Sequence, residues 1–396
     1  MRALWLALAL IAAGCSGGGG VSETGNPQRT YLTSSGDGFG RWRIEDASFD
    51  SEWSVTSSAG SVQYVYSLAG SCGGPTTFGF KSCTISTSSC VAGAAACPTP
   101  PAPGETVNIL ELPGVSALIY TPTQNLLHSG SVLGSCDAEI AGDYLSASTG
   151  LGSIKLFGLY RSDSTFTNFI DSSFGLYDPA SPKLFYATTT ASGTGATTLG
   201  PVTCQNGIRT FELGGIPVRA TMTAGGLWGF SLPPGYGGAI SFRTDLAASL
   251  GDLANKRFYG FSAYDVGLLT MVEVTTGPIG GNSVPLTSAI HSTGPQPNIT
   301  GVSFMSAKSA GSTYGLNGNP PGFLGYTYAT NLLSSTYPTP GDAPGLFIST
   351  GGSGTPDQGT IVSAMKSRGK VVIQSTLFGN RGGAIKVIGS SIFFEQ

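Results

Sequence analysis

The feature that most limits what this chain can fold into is the rhythm of its apolar runs. They are short, rich in β-branched and aromatic residues, and bounded by Gly, Pro, Asn and Ser, as in SVQYVYSLAG (61–70), TVNILELPG (106–114), SALIYTP (116–122), SIKLFGLYR (153–161), PVRATMTAGG (217–226), LLTMVEVTTG (268–277) and KVVIQSTLFG (370–379). Several alternate with period two: Val371, Ile373 and Ser375 oppose Val372, Gln374 and Thr376, the pattern of a strand with two different faces. Long stripes of helical period are missing. The expectation is an all-β fold of two, at most three, curved antiparallel sheets, barrel-like or sandwich modules with few short helices.

Curvature is suggested by aromatic–glycine pairs inside the runs: FGF (78–80), FGLY (157–160 and 174–177), WGF (228–230), YGF (259–261) and LGYTY (324–328). Glycine permits the bends a closing sheet needs while a neighbouring aromatic covers the bare backbone. Two segments read as helices: DLAASLGDLANKR (245–257), with Asp245 as a cap, and, more ambiguously, TIVSAMKSRG (360–369). Pro/Gly clusters mark the expected boundaries. SLPPGYGGA (231–239) divides a cysteine-containing domain (31–236) from a cysteine-free one (237–396), and CPTPPAPGE (97–105) suggests a sub-boundary near 98–104.

At the N-terminus, Met1-Arg2 precede an apolar run from Ala3 to Ala13 and the small residues Ala12, Ala13 and Gly14. Such a run is too short to span a bilayer and reads as an export signal over 1–14. The sequence Ala12-Ala13-Gly14-Cys15 resembles the lipobox of bacterial lipoproteins, departing from it at Ala12, where leucine is commoner. The resemblance implies cleavage before Cys15, acylation of its sulfur and attachment to the membrane; Ser16 after it resembles the outer-membrane sorting pattern. The alternative is ordinary cleavage after Gly14 with an incidental cysteine. Residues 15–30 then form the lipidated cysteine and a Gly/Ser-rich tether whose reach as a coil is about 20 Å.

Cysteine parity agrees with the lipid reading. Seven is odd; setting Cys15 aside leaves Cys72, Cys83, Cys90, Cys97, Cys136 and Cys204, an even set suited to disulfides in an oxidising compartment. Proximity suggests that the first four pair among themselves and that Cys136 pairs with Cys204.

Catalytic signals are sparse. There is no GxSxG, HExxH, P-loop or EF-hand spacing, and His128 and His291 both read as surface residues rather than bases or ligands. Neither a metal nor a cofactor is expected, although Asp163 and Asp171 invite comparison with calcium ligands in what reads better as a hairpin loop. Carboxylates cluster beside tryptophans in RWRIEDASFDSEW (41–53), so Trp42, Glu45, Asp50 and Trp53 are the candidate ligand contacts; the plainer reading is a strand and turn with core tryptophans and exposed acids. Lys366, Arg368, Lys370, Arg381 and Lys386 read as the solvated face of an edge hairpin.

Only 10% of residues are charged and the net charge is -3, which leaves no basic face for nucleic acid. Strands that are short and uneven disfavour an integral outer-membrane barrel. The expectation is a lipid-anchored protein of the outer membrane, non-enzymatic, with envelope proteins or surface glycans as partners. A β-barrel carrier of a small apolar or saccharide ligand and a carboxylate-based glycan hydrolase are the alternatives.

Overall fold

The computed structural model describes residues 29–76, 79–139, 142–149, 155–162, 168–178, 183–188, 197–198, 202–213, 216–231, 234, 238–264, 269–281, 283–290, 299–306, 345–350, 358–381 and 384–396. The chain is all-β. The described strands form two closed barrels and, between them in sequence, an open ten-stranded sheet.

The first barrel comprises β1 (Thr30–Ser34), β2 (Gly38–Ile44), β3 (Ser48–Thr56), β4 (Val62–Pro75), β5 (Lys81–Ala92), β6 (Thr106–Leu112), β7 (Ser116–Thr121) and β8 (Leu126–Val132). Each strand pairs antiparallel with the next, and β8 returns to β1 with Tyr31 opposite Val132. Alternation decides what faces inward: Tyr31, Trp42, Ile44, Phe49, Leu68, Ile85, Val107, Ile109 and Ile119 fill the interior, while Arg41, Arg43, Asp50 and Glu52 stand outside. An apolar interior and a charged exterior are the inverse of a transmembrane barrel.

The open sheet comprises β9 (Gly142–Thr149), β10 (Lys155–Ser162), β11 (Asn168–Asp178), β12 (Lys183–Thr188), β13 (Thr197–Thr198), β14 (Thr203–Gln205), β15 (Ile208–Leu213), β16 (Ile216–Met222), β17 (Leu227–Ser231) and β18 (Gly238–Arg243). Its order is β12-β11-β10-β9-β18-β17-β16-β15-β14, with β13 on β11. The two FGLY runs meet here, each glycine opposite an aromatic: Phe157 faces Gly175 and Gly158 faces Phe174. This sheet lies on the β1–β8 side of the first barrel. At the contact Ser34 Oγ is 3.4 Å from Ser231 Oγ, and Arg219 sits 3.8 Å over the Phe39 ring.

The second barrel comprises β19 (Arg257–Tyr264), β20 (Leu269–Thr276), β21 (Ser283–Ile290), β22 (Ile299–Ser306), β23 (Leu346–Thr350), β24 (Gln358–Ser367), β25 (Lys370–Arg381) and β26 (Ala384–Glu395), closed by β19 on β26. Phe258, Val274, Val284, Val362, Val371 and Ile373 belong to its core. Phe261 reaches the first barrel, its ring 5.2 Å from Phe80 and 5.6 Å from Tyr120.

Two expected helices are corrected. Residues 245–257 do not form a helix but two single 3-10 turns, Thr244–Leu246 and Gly251–Leu253. Ala248 donates its N–H to Ala364 O at 2.9 Å, drawing the segment against β24, and Ala248 and Leu253 are buried in the second barrel's core; tertiary pairing overrides a local helical pattern. Residues 360–369 are strand and turn, with Arg368 and Gly369 at positive φ (51° and 74°) in the two-residue turn that suits the twist of a hairpin.

Strands also group differently from the expected boundaries at 31–236 and 237–396. The cluster at 231–239 falls in sequence between β17 and β18, and β18 pairs with both β17 and β9. Likewise 98–104 lies inside the first barrel, between β5 and β6. The Pro-rich segment is held at both ends, by the Cys90–Cys97 disulfide and by Gly104 N–H to Ile85 O (2.8 Å). Pro101 within it is buried.

Candidate functional site

The stretch 41–53 is the hairpin of β2 and β3, and strand parity sorts its residues. Trp42 and Trp53 point inward and are 0% and 1% exposed. Asp50 stands on the outer face opposite Arg43, and Glu45 is exposed in the turn, its N–H bonded to Ser48 O at 2.8 Å. The four candidate contacts therefore do not converge. The tryptophans belong to the core, Asp50 stands on the exterior, and Glu45 lines a concave surface.

That surface is a cleft of about 450 Å³ at one end of the first barrel, lined by Arg29, Thr30, Arg43, Ile44, Glu45, Asp46, Ala47 and Ser48. Behind it lies a charge cluster assembled from four separate parts of the chain. Arg29 grips Glu111 with two donors, Nε at 2.8 Å and a second through Nη2, and gives Nη1 to Asp46 at 2.5 Å. Tyr31 donates its hydroxyl to Glu111 Oε1 at 2.7 Å and accepts the Gly114 N–H. Lys81 Nζ is 3.9 Å from both Asp46 and Glu111 and donates to Glu45 O at 3.3 Å. The Glu111 side chain is 4% exposed and that of Asp46 is 96% exposed, so one carboxylate is fixed inside and the other hangs over water.

Electrostatics follow from this arrangement. Hydrogen bonding to Glu111 holds the Arg29 guanidinium even more firmly protonated than usual. Burial, reinforced by Glu111, pushes the Tyr31 phenol up. Burial and the neighbouring Arg29 lower the Lys81 ammonium, and Arg29 lowers the Asp46 carboxyl. The outer carboxylates are paired as well: Arg43 with Glu45 at 2.5 Å, and Arg41 with Glu52 at 3.5 Å. Asp37, in the turn between β1 and β2, is the carboxyl that burial raises, against a 2.6 Å hydrogen bond from Ser35 Oγ.

Arg29, Tyr31, Lys81 and Glu111 escape sequence reasoning because 82 positions separate Arg29 from Glu111. One signal was available. Glu111 falls on the inward parity row of Val107 and Ile109, and a carboxylate on an apolar row demands a buried partner.

His128, expected at the surface, is instead fully buried. One face of β8 lines the barrel interior and the other is covered by the open sheet, so nearly every residue of the strand is buried. The imidazole lies between Trp53, 4.6 Å away and nearly perpendicular, and Trp42 at 5.3 Å. Burial pushes its pKa down to about 3.

Other singled-out residues are dispersed. Asp171 lies on β11, whereas Asp163 and His291 lie outside the described residues, as do Cys15 and the segment before Arg29. Among the described residues no group of three or more His, Cys, Asp or Glu could hold a metal ion. Lys366 pairs with Asp252 at 2.7 Å; Arg368 and Lys370 bracket the β24–β25 turn, and Arg381 and Lys386 lie on β25 and β26. The six remaining cysteines form Cys72–Cys83, Cys90–Cys97 and Cys136–Cys204.

No protein-family model and no curated protein matches the chain. Among solved structures it is similar to a porin-like protein from Bacteroides uniformis, at 9% identity over 65% of this chain and 98% of that one, with a TM-score of 0.18. A putative AttH from Nitrosomonas europaea is 8% identical over 92% and 90% of the two chains, TM-score 0.19. Transferrin binding protein B from Haemophilus parasuis is 8% identical over 94% and 76%, TM-score 0.19. Scores this low carry no argument about fold or function, and the chain is described by its own geometry.

Proposed function

We propose that this chain is an exported protein fastened to the outer membrane through acyl groups on Cys15, with a structural or surface-interaction role rather than a catalytic one. The observation that carries the reading is the cysteine balance. Three disulfides use Cys72, Cys83, Cys90, Cys97, Cys136 and Cys204, leaving Cys15 as the odd thiol, within a leader of lipobox type. Disulfides persist in oxidising compartments, and two acyl chains give stable attachment where one is marginal.

Side chains support the scaffold role over its alternatives. The interior of the first barrel is occupied by Trp42, Trp53, Tyr31 and Phe49, so a carrier would have to displace its own core. Glu45, Asp46, Glu52 and Glu111 are each tied to a cation, whereas a glycan hydrolase needs a pair of carboxyls free to face one glycosidic bond. The exterior is then the working surface, meeting envelope proteins or surface glycans, and with a net charge of -3 it has little attraction for nucleic acid.

Membrane fractionation tests the reading. Wild type should sediment with outer membranes and resist extraction by high salt, and Cys15→Ser exported behind an ordinary cleavable leader should be released to the soluble periplasmic fraction. Equal membrane retention of the two, or wild type recovered from the cytosol with its leader intact, contradicts it.

A further inference from the structure

We propose that the cleft at the end of the first barrel seats a zwitterionic phosphate–ammonium head group of the bilayer to which the chain is tied. The seat itself stands on its residues; the source of the ligand rests on the proposed anchoring at Cys15.

Charge balance selects the ligand class. The cleft is lined by two guanidiniums, Arg29 and Arg43, and two carboxylates, Glu45 and Asp46. A simple oxyanion would satisfy the arginines and strand both acids, and a simple ammonium would do the reverse. A phosphate and an ammonium joined by a short linker offer an opposite charge to each pair and leave the net charge of the cleft unchanged, and guanidinium–phosphate bonds are of the strong charge-assisted kind.

The cluster is also divided into a fixed part and a movable part. Two hydrogen bonds donated to the 4%-exposed Glu111 hold one edge of Arg29, so its Nη1 stays aimed when Asp46 leaves. Lys81, its side chain 16% exposed, adds a second largely buried positive charge 3.9 Å from Asp46. Against these, the Asp46 side chain is 96% exposed and that of Glu45 is 52% exposed. Ion pairs this open to water are weak, so both acids exchange an arginine for an ammonium at small cost. Arg29 and Lys81 are preorganised, while Arg43, its side chain 60% exposed, and the two acids adapt, so the fixed cations limit the ordering that binding requires.

Position supplies the bilayer. Arg29 follows Cys15 by 14 residues, a distance of at most about 50 Å even fully extended. A cation of the cleft is thus the root of the tether, and an acylated Cys15 would keep this end of the barrel near head groups at high effective concentration, where a weak site is filled.

The test uses the mature chain carrying Cys15→Ser, exported behind a cleavable leader so that no acyl group is attached. Its amide resonances are followed while glycerophosphoethanolamine, glycerol phosphate or ethanolamine is added. Shifts at residues 43–48 should saturate with glycerophosphoethanolamine and require at least about tenfold more of either half-molecule, and the Arg43→Ala/Asp46→Ala double variant, altered only at exposed positions, should bind about tenfold more weakly or worse. The acylated wild type in phosphatidylethanolamine vesicles should then exchange its amides at 43–48 more slowly than in phosphatidylglycerol vesicles. Equal binding of glycerol phosphate, unchanged binding by the double variant, or no saturable shift overturns the seat. Head-group binding in solution without slower exchange on vesicles assigns the ligand to a free solute and overturns the bilayer source. Because the titration needs no acyl group, its failure leaves the anchoring untouched, and failed anchoring leaves the titration readable.

Discussion

At neutral pH the imidazole of His128 sits uncharged between two indoles, and this makes it an acid-sensitive point in the first barrel. Its folded value near 3 lies below the ordinary 6.5 because burial penalises the charged form. The unfolded chain therefore binds a proton that the folded chain refuses, and stability present above pH 6.5 is lost as pH falls toward 3, at about 1.4 kcal/mol per pH unit. Replacing His128 by Phe should remove this term: comparing pH 7 with pH 4.5 in denaturant melts, wild type should lose about 3 kcal/mol more than the variant. Equal losses would show that the ring is solvated. Glu111 makes the opposite test. Glu111→Gln leaves Arg29 partly buried without its main counter-charge and should cost about 3 kcal/mol at pH 7, whereas Asp46→Asn, at an exposed position, should stay within about 0.5 kcal/mol of wild type. Of these residues the sequence marked Asp46, among the carboxylates of 41–53, and His128, which it placed wrongly: a lone histidine among Leu, Ser and Gly carries no sign that both faces of its strand are covered.

Among the elements, strand β17 illustrates how small residues set sheet spacing. A methyl group on Gly229 would come within 2.1 Å of Ser131 Oγ on the first barrel, so the open sheet and β8 approach closely only because that side chain is missing. Gly229→Ala should cost about 1–3 kcal/mol by overpacking, read as a lowered denaturation midpoint, and Ser131→Ala should recover part of it; a neutral Gly229→Ala would mean that the two sheets are free to separate. Strands were the most legible part of the sequence, since alternation in runs such as KVVIQSTLFG is a local property, and the Arg368-Gly369 turn was legible only once its hairpin was known. Residues 245–257 misled for a physical reason. Leu246, Leu250 and Leu253 do repeat near a helical period, but the chain earns more by pairing Ala248 with Ala364 and sinking Leu253 into the barrel than by closing an isolated helix with Gly251 in its middle.

Across the whole molecule, disulfides work at different ranges. Cys90–Cys97 spans 7 residues and Cys72–Cys83 spans 11, both inside the first barrel, while Cys136–Cys204 spans 68 and ties the segment after that barrel to β14 of the open sheet. Loop-closure entropy makes the long one worth about 4 kcal/mol and the short ones nearer 2–3, so Cys136→Ser/Cys204→Ser should lower stability more than Cys90→Ser/Cys97→Ser in urea unfolding. The reverse order would place their effect in native packing instead. Parity revealed that the cysteines pair, but the grouping of strands into sheets was not legible, because closure of β8 on β1 and pairing of β18 with β9 join residues far apart in sequence and leave no local mark. The proposed anchoring requires the chain to leave the cytosol and, once cleaved, to begin at an acylated Cys15. Intact and peptide mass spectrometry of wild type purified from membranes under non-reducing conditions tests this most directly. The expected product begins at Cys15, carries the mass of acyl groups there and holds its other six cysteines as three disulfides; an N-terminus at Met1 with seven free thiols would contradict it.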